Sequence, residues 1–282
     1  MIRILFIGIF CFVTIASKSQ SITVTGVIFK IKQEINCPWN MVTVDKIKAG
    51  DPETKVTGIA TTFMATLEVL KKAKEAGCNF IITHEPTFYS HTDDLVTHAG
   101  ESIQEEKLKF IKENNLVVWR FHDHLHRNKP DMIYEGVVNK LGWKNYTSSD
   151  DYTYTIPPKS LNDIVADIQS KFHARTIRVI GNPDAIFSKV GMVLGAAGSG
   201  AHFKMLQNPG CELLIVGETN EWETVPYIQD AITLGQNKAL IVLGHADSEE
   251  AGMEVCADWL KRLYPQVNIK FIEAGNPYWA GK

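Results

Sequence analysis

Residues 120–131 read RFHDHLHRNKPD and place His122, Asp123, His124 and His126 within a few positions, although the chain holds only nine histidines. Imidazole nitrogens ligate metals, move protons near neutral pH and hydrogen-bond to carboxylates. Two other stretches share this character. THEP sets His84 beside Glu85, and GHADSEE sets His245 one helical turn before Glu249. Each stretch follows a short apolar run: CNFII, LVVW and KALIVL. A single histidine is most often a surface residue or a satisfied core residue. Three clusters of imidazole and carboxylate at the ends of apolar runs are better explained by one shared site, and such donors suit zinc, iron or manganese.

A shared site needs a scaffold that gathers distant stretches. MATLEVLKKAKEAG, residues 64–77, has apolar positions at helical spacing and stops at Gly77. CNFIITHEP then reads as a strand, SIQEEKLKFIKENN as a second amphipathic helix and LVVWRF as a second strand. DMIYEGVVNKLGW reads as a helix closed by Gly142. The order helix, strand, ligand-rich loop thus occurs twice. Such alternation predicts an α/β protein with a parallel sheet and covering helices. In open sheets of this class, ligands collect outside the carboxyl ends of the strands. There His84, Glu85, His122, His126, His245 and Glu249 can meet.

SSDDYTYTIPPKSLNDI interrupts the pattern with polar residues and a Pro-Pro pair, and reads as a boundary. A helix restarts at SLNDIVADIQSKFHA, with Ser160 as its N-cap and Asp163 three residues on. TIRVIG, KVGMVLG and CELLIVGE read as strands, TVPYIQDAITLG as a helix and KALIVLGH as a strand. DSEEAGMEVCADWLKRL reads as a long helix and VNIKFIE as a last strand. Asp247 or Ser248 is the expected cap of that long helix, which puts Glu249 in its first turn. Acidic residues there favour the helix N-terminus in any case, but that leaves the preceding His245 unexplained.

Composition bounds the alternatives. A chain of 282 residues with 45% apolar and 22% charged residues is that of a globular protein with one large domain or two modest ones. A net charge of −3 without a long Lys/Arg run gives no footprint for nucleic acid. MIRILFIGIFCFVTIASKSQS has an early Arg, an apolar run and then small polar residues, the form of a secretory signal peptide. The run is short against the roughly 20 residues of a bilayer span. Cleavage is expected near Ser19 or Gln20, leaving a secreted or periplasmic chain with no stable membrane anchor. Cys37, Cys78, Cys211 and Cys256 remain and form no C-x-x-C pair. Buried free thiols are expected for Cys78 and Cys256.

The three stretches THEP, HDHLH and GHADSE, with LGAAGSG and VGE between them, resemble the Nif-three-like proteins, a dinuclear-metal family also called GTP cyclohydrolase I type 2 homologues. The resemblance covers nearly the whole chain after the leader. Family members carry T-H-H-P, H-T-N-L-D and G-H-x-x-[ST]-E at these places. The implied metal ligands are His84, Glu85, His126, His245 and Glu249. Glu85 replaces a histidine and His126 replaces an aspartate, so the exchange keeps three imidazoles and two carboxylates. Glu249 is the natural bridge, since one carboxylate has two oxygens. His122 matches the family's loop histidine and is expected beside the ligands. Asp123 and His124 have no ligand counterpart; they either orient a ligand imidazole, handle protons or are solvated.

The resemblance further implies two linked α/β domains with mixed, largely parallel sheets, assembled as a toroidal homo-hexamer. Residues 1–20 would be the signal peptide, 21–146 plus 239–282 the metal-site domain and 147–238 the second domain. Two divalent ions per chain are implied, with zinc the expected ion and iron or manganese the alternatives. Such a site points to metal-dependent hydrolysis of a small molecule whose identity the sequence does not give. No P-loop, dinucleotide fingerprint or Ser-His-Asp order competes. The alternative is a hexameric scaffold that binds or delivers metal without catalysis.

Overall fold

The structure, a computed structural model, describes residues 22–146 and 151–281. The expected signal peptide at 1–20 lies outside the described residues. The chain opens with α1 (Val24–Glu34), capped by Thr23, whose hydroxyl oxygen accepts the Gly26 N–H. β1 (Ile47–Ala49), β2 (Gly58–Thr62), α2 (Leu67–Glu75) and β3 (Phe80–Thr83) follow. Then come α3 (Ser102–Glu113), β4 (Val117–Arg120), the short α4 (Asp123–Arg127) and α5 (Met132–Leu141). Gly142 ends α5 with φ +72°, the left-handed conformation that glycine adopts without a Cβ penalty.

The later half comprises β5 (Thr153–Ser160), α6 (Leu161–Phe172), β6 (Arg178–Ile180), β7 (Ile186–Val193) and α7 (Ser199–Leu206). β8 (Leu213–Val216), α8 (Thr224–Thr233), β9 (Ala239–Val242), α9 (His245–Leu263) and β10 (Asn268–Phe271) complete it. Ser160 caps α6 as expected, accepting the Asp163 N–H and donating its hydroxyl to the Asp163 carboxylate.

The strands form two five-stranded sheets, in the orders β1-β4-β3-β2-β10 and β5-β7-β8-β9-β6. Each has a parallel centre, with antiparallel pairing at one edge of the first sheet and at both edges of the second. β10, β2, β3 and β4 run parallel, with β1 antiparallel to β4. β7, β8 and β9 run parallel, flanked by antiparallel β5 and β6. The central strands β2, β3, β4, β8 and β9 are buried throughout. Strands covered on both faces read as continuous apolar runs rather than alternating ones, which is why FII, LVVW, LLIV and ALIV stand out in the sequence.

Two regions differ from the sequence-based expectation. The segment expected as a boundary contains β5, which runs through Pro157 and Pro158. It tolerates them because it is an edge strand whose register shifts between Thr155 and Lys159, where no ladder N–H is needed. The strand at 239–242, grouped with the first domain in the sequence analysis, instead pairs with β8 and β6 in the second sheet. The chain returns to the first sheet only through α9 and β10.

Helices α1, α5, α6 and α9 lie in one apolar layer shared by both sheets; Ile31, Ile133, Ile168 and Met253 belong to the same buried cluster as Phe80 and Ile241. Leu70 of α2 and Ile111 of α3 cover the other face of the first sheet, and Leu206 of α7 and Ile228 of α8 that of the second. α9 is held close. A β-carbon on Gly136 of α5 would sit 2.3 Å from the Ala251 carbonyl carbon, and one on Gly252 would sit 2.5 Å from Ile133 Cα. Thr61 of β2 donates its hydroxyl to the Met253 carbonyl at 2.7 Å. The helix that carries His245 and Glu249 is therefore fixed against both α5 and the first sheet. Among the described residues no helix is long and apolar enough to cross a membrane. Cys37, Cys78, Cys211 and Cys256 are free thiols, and Cys78 and Cys256 are buried as expected.

Candidate metal centre

The parallel strands bring their carboxyl ends together. His84 and Glu85 follow β3, His122 follows β4 and His245 follows β9 within three residues. α9 begins at His245 itself, capped by Gly244 rather than by the expected Asp247 or Ser248. Gly244, with φ +107°, makes the turn directly from β9, and Ser248 points inward, donating to the His245 carbonyl and accepting the Gly195 N–H. His245 and Glu249 are thus one turn apart on a single helix face.

Glu249 is 3% exposed and sits at the centre of the cluster. Its Oε2 lies 3.0 Å from His245 Nε2 and 3.2 Å from His84 Nε2, while Oε1 lies 3.7 Å from His126 Nε2. Glu85 Oε1 lies 3.6 Å from His122 Nε2 and 3.5 Å from His245 Nε2. The rings of His84, His122 and His126 stand within 4.6–5.0 Å of one another, centroid to centroid. The structure therefore brings together all five residues expected as ligands, with His122 beside them.

The imidazoles are held from outside by carboxylates. Asp123 Oδ1 is 2.9 Å from His122 Nδ1, Asp131 Oδ2 is 3.2 Å from His126 Nδ1, and Glu218 Oε1 is 2.9 Å from His245 Nδ1. An ionised carboxylate only accepts, so each Nδ1 donates and each Nε2 faces the cluster. His84 Nδ1 instead faces the Phe121 carbonyl at 3.4 Å.

His124 behaves differently from its neighbours. It is fully buried, its Nδ1 donates to Asp45 at 2.6 Å and its Nε2 accepts the Asn40 N–H at 2.8 Å. Trp39 stacks on it at 3.6 Å. Both ring nitrogens are used, so His124 is a structural post and no ligand. Its partner Asp45 also accepts the backbone N–H groups of His122, Asp123 and His124. That carboxylate fixes the start of α4 and hence the aim of His122 and His126. Asp123, the other residue left open by the sequence, orients His122 and accepts from Thr43 and Val44.

Burial and neighbouring charge pull against each other in the cluster. Burial raises the Glu85 carboxyl, but the bond to His245 and the neighbouring imidazoles of His84, His245 and His122 outweigh it and hold it down to about 2. Glu249 is likewise buried, yet His84, His245 and His126 hold it well below the ordinary carboxylate range. Burial lowers His245, but Glu249 and Glu85 reverse this and push it up to about 11. Burial beside His84 and His126 takes His122 down to about 4.

The donor set fits divalent metal. His84 Nε2 is buried and makes no hydrogen bond, although Glu249 Oε2 is 3.2 Å away. A buried, unpaired imidazole nitrogen beside a carboxylate has a lone pair to give. The ligating atoms of His84, His122 and His126 lie within 4.8 Å of one another, as do those of His84, Glu85 and Glu249. Residues 31–277 match the family model for Duf34/NIF3, NGG1p interacting factor 3. The chain belongs to the Duf34/NIF3 family. A protein of Clostridium acetobutylicum called GTP cyclohydrolase 1 type 2 homolog is 24% identical over 235 residues, 79% of this chain and 83% of its own length. A Chlamydia pneumoniae protein of the same name is 24% identical over 245 residues, 82% and 90% of the two chains. The Staphylococcus aureus protein SA1388 superposes with a TM-score of 0.72 at 16% identity, over 92% of this chain and 99% of that one. A Bacillus cereus protein related to NIF3 gives 0.72 at 12% identity, over 93% and 100%. These solved structures establish the NIF3 fold.

Several residues around this cluster went unread in the sequence. Asp45 lies in VTVDKIKAG, which has no periodicity to mark it. Asp131 was not singled out either; it caps α5 by accepting the N–H groups of Ile133 and Tyr134. Gly195, of the Gly-rich segment, has φ +63°, and a β-carbon there would sit 2.1 Å from Glu249 Oε1. The loop after β7 thus closes directly over the central carboxylate.

Proposed function

We propose that this chain is a metal-dependent hydrolase with a dinuclear centre held by His84, Glu85, His126, His245 and Glu249, with His122 beside them. The observation that carries the reading is Glu249, whose two oxygens face different histidines. A carboxylate in that position is suited to serve two ions at once, and zinc is the expected metal, with iron or manganese as alternatives. Two bound divalent ions would supply Lewis acidity for polarising a carbonyl or phosphoryl oxygen.

The chain's own groups supply the rest. Asp123, Asp131 and Glu218 keep Nδ1 protonated on three imidazoles, so their Nε2 atoms stay aimed inward. His122 stays neutral at physiological pH, so its Nε2 presents a lone pair towards the cluster. Two carboxylates against two divalent ions leave the site net positive, which favours an anionic substrate group.

Export through the leader and assembly as a toroidal homo-hexamer complete the proposal. Light scattering of the mature protein and N-terminal sequencing from the native host test those two points. The activity test is a screen of esters, phosphoesters and cyclic amides with metal-replete protein, repeated after chelation. Turnover that chelation abolishes supports the hydrolase reading. Tightly held metal with no turnover in any class favours a metal-binding scaffold instead.

A further inference from the structure

Arg120, the last residue of β4, is 1% exposed, and its planar guanidinium donates in three directions. Nε donates to the His84 carbonyl at 3.1 Å, Nη1 to the His91 carbonyl at 2.6 Å and Nη2 to Glu85 Oε2 at 3.4 Å. Three bonds from one rigid fork fix its plane, which a lysine ammonium cannot reproduce. The first bond clamps the backbone between the two residues that follow β3. The third occupies one of the two Glu85 oxygens. The other, Oε1, is the oxygen that faces His122 Nε2 at 3.6 Å and His245 Nε2 at 3.5 Å.

We infer that Arg120 is a positioning residue that makes Glu85 a one-oxygen ligand and thereby sets the ion preference of the centre. With Oε2 held by the guanidinium, Glu85 presents a single donor atom, as an imidazole would. Low coordination number with several imidazoles favours zinc. Released from Arg120, Glu85 can turn both oxygens inward. More oxygen donors and a higher coordination number favour harder ions such as manganese. The inference rests on the metal-centre reading above and adds the control of ligand number.

The test uses the full chain, stripped of metal and reloaded with cobalt(II), with zinc and manganese then compared in competition. If the unmodified protein binds no cobalt, the metal-centre reading itself fails. If it binds, Arg120→Gln is expected to bind cobalt with weaker visible absorption, as coordination number rises, and to lose about tenfold in zinc-over-manganese preference. Glu85→His alone sets an imidazole against the guanidinium and should weaken zinc binding. Adding Arg120→Gln to Glu85→His should restore the greater part of that loss. A merely structural arginine would make the double variant worse than either single one. Cobalt absorption and ion preference unchanged in folded Arg120→Gln, or a double variant no better than Glu85→His, overturns the inference. Should Arg120→Gln not fold, Arg120→Lys keeps the charge without the fork and is read in the same way. Failure of both to fold would make the role one of folding and overturn the inference as well.

Discussion

Gly195 and Glu249 meet across the two sheets: a β-carbon on Gly195 would lie 2.1 Å from Glu249 Oε1. Gly195 lies early in the loop that follows β7 of the second sheet, whereas Glu249 rides on the helix packed against the first. The central carboxylate is thus placed from both sides. Gly195→Ala is expected to displace the carboxylate and to strain the backbone at φ +63°, by roughly 1–2 kcal/mol for a left-handed residue with a β-carbon. Metal content should fall while circular dichroism keeps the native α/β signature. Full metal content in Gly195→Ala would show that the contact does not matter.

Metal uptake is expected to release protons. Imidazole ligates only when neutral, and in the metal-free site His245 is pushed up to about 11, first against burial and then by Glu249 and Glu85. His126 is raised as well, against burial, by Asp131 and Glu249. Calorimetry at pH 7 in two buffers of different ionisation enthalpy should show at least about one proton released per chain, and affinity should rise with pH. Buffer-independent heats would contradict this.

The metal-free protein has its own stability profile. Glu85 is lowered from 4.5 to about 2, so its contribution is present above 4.5 and lost as pH falls through 2. His122 is lowered from 6.5 to about 4, so charging it opposes folding, and stability drops as pH falls across that window. His245 is raised from 6.5 to about 11, so its contribution is full below 6.5 and is lost as pH rises through 11. Thermal melts of stripped protein should therefore peak near pH 6–7. Bound metal should flatten the alkaline side, because the neutral imidazole is then the bonded form.

Asp45 and His126 separate scaffold from ligand. Asp45→Ala removes the acceptor for three backbone N–H groups and His124 Nδ1. Leaving buried donors unmet costs about 1–3 kcal/mol each, so a clear fall in melting temperature is expected. His126→Ala, which loses only the bond to Asp131 and the attraction of Glu249, should melt above Asp45→Ala when stripped, yet lose mainly one ion. If His126→Ala keeps both ions while His124→Ala loses one without unfolding, the roles within HDHLH are reversed.

The strand ends were legible because fully buried parallel strands read as unbroken apolar runs, and THEP, FHDHLH and GHADSEE stop them abruptly. The exchange of ligand type between Glu85 and His126 was legible only through the family pattern. Other features depend on partners far along the chain. Asp45 acts on residues about 80 positions away, and nothing in its own neighbourhood marks it. β5 was hidden because Pro157 and Pro158 signal a break, and only its place at a sheet edge makes them compatible with a strand. The cap of α9 was misplaced because Asp247 and Ser248 fit the usual preference, whereas Gly244 wins by turning the chain straight from β9. α1 and β2 were not read at all.

Elemental analysis of the purified full chain and of Glu249→Ala, both loaded under identical conditions and dialysed, bears most directly on the dinuclear centre. Glu249 faces His84, His245 and His126 through two different oxygens. The account predicts two divalent ions per native chain and an empty or nearly empty Glu249→Ala variant whose circular dichroism remains native. A native chain that retains no metal, or a Glu249→Ala variant that retains both ions, would contradict it.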